Sequence, residues 1–118
     1  MIIPKSRAAG VTGAVVKASA GAAEHMAVCR VSNLADAVEK LKKKGVWIYA
    51  CETGGTPYDK VDYAGPAAFI LGSEGEGVSR LLKEKSDFII SLPMRGRVNS
   101  LNVSCAAAII LYEALRNR

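Results

Sequence analysis

Two stretches of strand length, "VWIYAC" (46–51) and "AAFILG" (67–72), are apolar from end to end rather than alternating apolar with polar. A strand with one wet face keeps a period of two. A continuous run therefore signals burial on both faces, the condition of parallel strands with helices on either side. "DFIISLP" (87–93) reads as a third strand, closed by Pro93. Between them lie helical patterns. "NLADAVEKLKKKG" offers Asn33 as an N-cap, Leu34, Ala37, Val38 and Leu41 at helical spacing, and Gly45 as a stop. "GVSRLLKEK" (77–85) predicts a short helix and residues 101–117 a long terminal one, while "MIIP" and "MAVCRV" (26–31) suit short strands. Strands alternating with helices give an α/β class, a parallel sheet flanked by helices, and a single domain over residues 1–118. No internal repeat, low-complexity tract or linker interrupts it.

Half of the 118 residues are apolar, enough for one core. "MIIPKSR" lacks the pattern of a secretory signal, and the longest greasy run, Cys105 to Tyr112, is far shorter than a membrane span. A soluble, cytoplasmic protein with no membrane association is expected. Cys29, Cys51 and Cys105 never adopt C-x-x-C spacing, which argues against a disulfide framework and a zinc site. All three are expected as small buried apolar residues, and no metal is expected. His25, the lone histidine, reads as structural.

The net charge of +5 points toward a polyanionic partner, because Lys and Arg release condensed counterions from phosphates. The run Lys40, Lys42, Lys43 and Lys44 reads as the solvated end of a helix, where cations offset the macrodipole. Arg95 and Arg97 sit instead in a glycine-containing loop.

Ligands of an open parallel sheet bind beyond the carboxyl ends of its strands. Three segments occupy such positions: "CETGGTPYDKVDY" (51–63), "LGSEGEG" (71–77) and "LPMRGRVNSLN" (92–102). The glycine segment is not a dinucleotide fingerprint, since its spacing is Gly72-x-x-Gly75-x-Gly77 and Glu74 and Glu76 would stand where a pyrophosphate needs bare N–H groups. No Gly-Lys-Ser/Thr follows, which excludes a P-loop. What remains is a glycine loop able to approach a flat, non-phosphorylated ligand such as an adenosine, or a plain βα turn.

"FILGSEGEGVSRLL" followed by "ISLPMRGRVNSLNVSCAAAIILYEALR" resembles the second and third motifs of the SpoU, or TrmH-like, S-adenosylmethionine-dependent RNA ribose 2′-O-methyltransferases. "IIPKSRAAGVTGAVVKASAGAAEH" and the strand before "ETGG" look like the subgroup that modifies a guanosine of large-subunit ribosomal RNA. The resemblance implies a SPOUT fold with a trefoil knot near the carboxyl end, and a homodimer packed across the cofactor sites. It implies S-adenosylmethionine held by Glu52, Thr53, Gly54, Leu71, Gly72, Gly75, Gly77, Ile90, Leu92, Met94 and Leu101. Glu74, Ser100 and Asn102 become the catalytic candidates, and Arg95 and Arg97 the RNA contacts. Ordinary helix capping is the competing role for Ser100 and Asn102, because both residue types favour that position. The terminal helix would pack into the core and the dimer interface, with Ala106, Ala107 and Ala108 permitting close approach.

The family's first motif, an asparagine-glycine segment with a following arginine, would lie just before the segment matching "IIPKSR", and Arg7 does not take its place. The expectation is a methyltransferase domain lacking its first strand-helix unit and any preceding RNA-binding extension. Two readings follow. One is the methyltransferase itself, acting on RNA, in particular ribosomal RNA. The other is a non-catalytic module that binds S-adenosylmethionine or RNA, or that dimerises. A nucleotide-dependent oxidoreductase is a weaker third.

Overall fold

The computed structural model describes residues 1–5, 27–72, 77–93 and 102–116. Two compact units are resolved, Met1–Ala37 and Val38–Arg118.

In the first unit, β1 (Ile2–Pro4) and β2 (Cys29–Val31) pair in parallel, with Ile2 opposite Cys29 and Pro4 opposite Val31. Backbone bonds from Cys29 N–H to Met1 O and from Lys5 N–H to Val31 O, both 2.8 Å, close the ladder at each end. Helix α1 (Leu34–Lys43) follows and runs past the unit boundary. Asn33 caps it: its Oδ1 accepts from Ala35 N–H at 2.8 Å and from Asp36 N–H at 3.3 Å, satisfying two orphan donors of the first turn. Its other end is a Schellman closure. Gly45, at φ +84°, donates to Lys42 O at 3.0 Å, and Val46 donates to Leu41 O at 3.1 Å.

The second unit holds a three-stranded parallel sheet in the order β4-β3-β5, from β3 (Trp47–Pro57), β4 (Ala67–Ile70) and β5 (Phe88–Ser91). A short 3₁₀ helix (Tyr58–Lys60), α2 (Arg80–Lys85) and α3 (Val103–Arg116) complete it. The reason for the unbroken apolar run is visible in β3. Ile48, Tyr49 and Ala50 are successive residues whose side chains point to opposite faces, and all three are buried. The core gathers around Tyr49, Tyr63, Ile90, Ile110 and Ala114. Tyr49 stacks on Phe69 at 5.3 Å and on Phe88 at 5.1 Å between ring centroids. The buried phenols are satisfied, Tyr49 donating to Asp62 O and Tyr63 to Tyr58 O.

Several expectations change. The strand expected to end at residue 51 continues to Pro57, because Thr56 and Pro57 pair again with Ile90 and Ser91 after an excursion over residues 52–55. Helix α2 begins at Arg80 rather than 77: Gly77 is left-handed at φ +73°, and Ser79 supplies the cap through Oγ to Leu82 N–H at 3.3 Å. The run of lysines is not wholly solvated. Lys42 donates to Lys85 O at 3.0 Å and lies 3.9 Å from Asp87, whose other carboxylate oxygen accepts from Ile48 N–H at 2.8 Å. Of the cysteines only Cys51 is even partly buried, while Cys29 on the small sheet and Cys105 in the first turn of α3 are exposed.

The terminal helix enters the core of its own chain along one stripe. Only Ile110 and Ala114, one turn apart on a single face, enter the core, whereas Leu111, Tyr112 and Leu115 remain 55%, 75% and 64% exposed. A helix lying against one sheet buries one stripe, so a helix apolar on every side must leave the rest uncovered. Among the described residues no helix is long and apolar enough to cross a membrane.

Candidate active site

The carboxyl ends of β3, β5 and β4 converge on one another, and each contributes a feature that depends on backbone approaching backbone. Cys51 and Thr56 both pair with Ile90, so residues 52–55 bulge out of the ladder between them. Gly55 makes this possible: a Cβ there would lie 2.7 Å from the carbonyl of Ile89. Ser91 Oγ donates to Gly55 O at 2.8 Å and fastens the far side of the bulge to β5. At its tip Gly54 is left-handed, at φ +87°.

Beyond β4 the chain returns on itself. A Cβ on Gly72 would stand 2.1 Å from Gly77 C and 2.4 Å from Val78 N, so only glycine fits at that crossing. Gly77 faces the Glu52 carboxylate, whose Oε2 would be 2.8 Å from a Cβ built there. Glu52 joins the two features. Its Oε2 accepts from Val78 N–H at 3.2 Å, its Oε1 accepts from Thr53 N–H at 3.2 Å, and Lys83 Nζ lies 3.7 Å away.

Of the residues expected to hold a cofactor, Glu52, Gly72 and Gly77 therefore meet directly, and Leu71, Ile90 and Leu92 belong to the adjoining apolar cluster. Thr53 and Gly54 are exposed on the bulge. Gly75, Met94 and Leu101, the catalytic candidates Glu74 and Ser100, the RNA candidates Arg95 and Arg97, and His25 lie outside the described residues. Asn102 is described, and it caps α3: its Oδ1 accepts from Ser104 N–H at 2.9 Å and from the Ser104 hydroxyl, and Ala106 N–H donates to its backbone carbonyl at 3.0 Å.

Two weak acids, the partly buried Cys51 and the buried Tyr63, belong to the core cluster. Burial pushes the Cys51 thiol from 9.0 up to about 12. The Tyr63 phenol is raised to about 12, first by burial and then by Cys51 and Glu113. Both stay protonated at neutral pH and act as packing groups. Among the described residues no cluster of three or more His, Cys, Asp or Glu side chains is arranged to hold a metal ion.

The profile of the SpoU rRNA Methylase family matches residues 1–112. The chain belongs to this family. It is 50% identical to a Staphylococcus saprophyticus protein assigned to the TrmH family of tRNA/rRNA methyltransferases, an alignment covering 100% of this chain and 48% of that protein. The chain thus spans about half the length of the curated relatives it matches. The SpoU methyltransferase AviRb from Streptomyces viridochromogenes, solved with AdoMet, superposes with a TM-score of 0.85 at 28% identity over 99% of this chain and 49% of its own. An RNA 2′-O ribose methyltransferase structure matches with a TM-score of 0.84 at 30% identity over 94% of this chain and 44% of its own. The α/β architecture with parallel strands is thus shared with SpoU methyltransferases.

Sequence reasoning missed three participants in this arrangement. Lys83 and the Val78 N–H answer Glu52 from far along the chain, and Ser91 answers Gly55. Spacing carries no signal for such pairs, because it is the parallel register that brings them together.

Proposed function

We propose that this chain carries the cofactor-binding core of an S-adenosylmethionine-dependent RNA ribose 2′-O-methyltransferase. The observation that carries the proposal is the closure of Gly72 onto Gly77 beside Glu52, at the carboxyl ends of three parallel strands in a member of the SpoU family. The residues suit an adenosyl ligand. Leu71, Ile90 and Leu92 provide apolar walls, glycines keep side chains out of the turn, and Lys83 is engaged by Glu52 instead of being placed for a phosphate. That last point disfavours a nicotinamide dinucleotide.

S-adenosylmethionine, when bound, supplies a sulfonium methyl group to a ribose 2′-oxygen. Glu52, Thr53, Gly54, Leu71, Gly72, Gly75, Gly77, Ile90, Leu92, Met94 and Leu101 form or brace its pocket. Arg95 and Arg97 hold the RNA backbone, and Glu74 shapes the site. Ser100 and Asn102 orient the 2′-hydroxyl, Asn102 being fixed by its contact with Ser104. Positioning supplies much of the rate enhancement, and hydrogen bonding to the hydroxyl eases loss of its proton. A trefoil knot near the carboxyl end accompanies this reading on the family resemblance alone, and the exposed face of α3 joins two copies as a homodimer in the cytoplasm. The substrate is ribosomal RNA of the large subunit.

Calorimetry with S-adenosylmethionine, paired with transfer of labelled methyl groups to bacterial ribosomal RNA, tests this. Binding, with label recovered in alkali-resistant dinucleotides, is expected. Binding without transfer would leave a cofactor-holding module, and no binding would sink both.

A further inference from the structure

Glu52 is a half-buried carboxylate on the bulge of β3, facing the described residues Gly77 and Val78 that lead into α2. Its side chain is 25% exposed and, among the described residues, accepts from the N–H groups of Val78 and Thr53 and forms an ion pair with the Lys83 ammonium. Each partner belongs to a different part of the surroundings. Thr53 opens the bulge of β3, Val78 follows the left-handed Gly77, and Lys83 lies on α2. The side chain also fills the space that a Cβ on Gly77 would need. From this geometry we infer that Glu52 is a positioning residue for the methyl donor: it clamps the Gly72–Gly77 crossing against the β3 bulge and so shapes the pocket without itself touching the ligand.

The inference rests on reading these strand ends as the S-adenosylmethionine pocket. Without the carboxylate, Val78 N–H loses its acceptor. The left-handed turn at Gly77 then loses the directional bond that ties its following residue to β3, and its close approach to Gly72 is steric and non-directional. A hydrogen bond to a charged acceptor is stronger than a neutral one, so an amide that replaces the carboxylate keeps part of the clamp and an alanine keeps none.

The test compares Glu52→Gln and Glu52→Ala with the unmodified chain at a temperature where circular dichroism shows all three folded. Affinities for S-adenosylmethionine and for uncharged S-adenosylhomocysteine are measured by calorimetry, and exchange of the Val78 amide by NMR without ligand. Glu52→Ala is expected to weaken both ligands by the same factor, about tenfold or more, and to expose the Val78 amide to exchange. Glu52→Gln is expected to retain Val78 protection and to recover most of the affinity. Three results overturn the inference: unchanged affinity in Glu52→Ala, a selective loss of S-adenosylmethionine over S-adenosylhomocysteine, or lost affinity in Glu52→Gln with Val78 still protected. The last two place the carboxylate on the ligand itself. If the unmodified chain binds neither compound, the failure lies in the pocket assignment and the inference falls with it.

Discussion

Replacing Gly72 by alanine adds one methyl group where the chain crosses itself. The new Cβ would stand 2.1 Å from Gly77 C and 2.5 Å from Gly77 Cα, against an ordinary contact of 3.4–4 Å, so the two backbone segments must part by more than 1 Å. Both sides of the contact are main chain, and no side chain is free to rotate away. Overpacking of this kind costs about 1–3 kcal/mol, and the opening also strains the bond from Val78 N–H to Glu52, which adds about 1 kcal/mol. A loss of about 3 kcal/mol is expected, near the upper end of the overpacking range. At an unfolding entropy of roughly 2.1 cal/mol/K per residue, that lowers Tm by about 12 °C. A domain of this size has roughly 6–18 kcal/mol of stability, so the variant still folds and can be measured. Thermal melts followed by circular dichroism supply the assay, with Gly45→Ala as the comparison. Gly45 is left-handed at φ +84° but has nothing within 4 Å of its built Cβ, so alanine there carries only the backbone strain of about 1 kcal/mol. Asparagine, which tolerates that conformation, should rescue Gly45 and fail at Gly72. A Gly72→Ala protein melting within 2 °C of the parent, or no worse than Gly45→Ala, would refute the crossing.

Two further outcomes are expected. The Cys51 thiol, raised from 9.0 to about 12, is more protonated in the folded than in the unfolded chain, so its contribution to stability is complete below pH 9 and is lost as pH rises toward 12. At pH 8 its thiolate is about a thousandfold scarcer than that of an ordinary cysteine; iodoacetamide followed by mass spectrometry should mark Cys29 and Cys105 first, and Cys51 labelling in step with them would contradict the burial. The second concerns the apolar groove of about 580 Å³ lined by Tyr58, Ala108, Ile109, Tyr112, Leu115 and Arg116. If α3 joins two copies, the parent sediments as a dimer and Tyr112→Lys with Leu115→Lys as a folded monomer; a monomeric parent, or a variant that remains dimeric, tells against that face.

Much of the fold was legible because some patterns have few physical solutions. Consecutive burial of Ile48, Tyr49 and Ala50 requires cover on both faces, which the run "VWIYAC" already demanded. Asn33 and Gly45 delimit α1 through local hydrogen bonds that involve only neighbours in sequence. The return of β3 to the ladder at Thr56 was not legible, because Gly54 and Gly55 read as the end of a strand and only the pairing with Ile90 shows the bulge. The crossing at Gly72 was hidden for a related reason. A glycine chosen for a near neighbour and one chosen for a turn are the same letter. In α3, apolar residues on every side left no periodicity to say which stripe, here Ile110 and Ala114, would face the sheet.

The strand order β4-β3-β5 has a consequence for how the chain is made. The middle strand leaves the ribosome before either of its flanking partners, and the last of them ends at Ser91. At about 5–20 residues per second, both edges of β3 wait some seconds for company, presenting "WIYA" to the crowded exterior. Nascent chains of this protein should therefore be most in need of a chaperone during that interval, and a pause in translation that falls after β3 has emerged from the ribosome and before β5 has followed it should lower soluble yield while leaving the finished molecule unaltered.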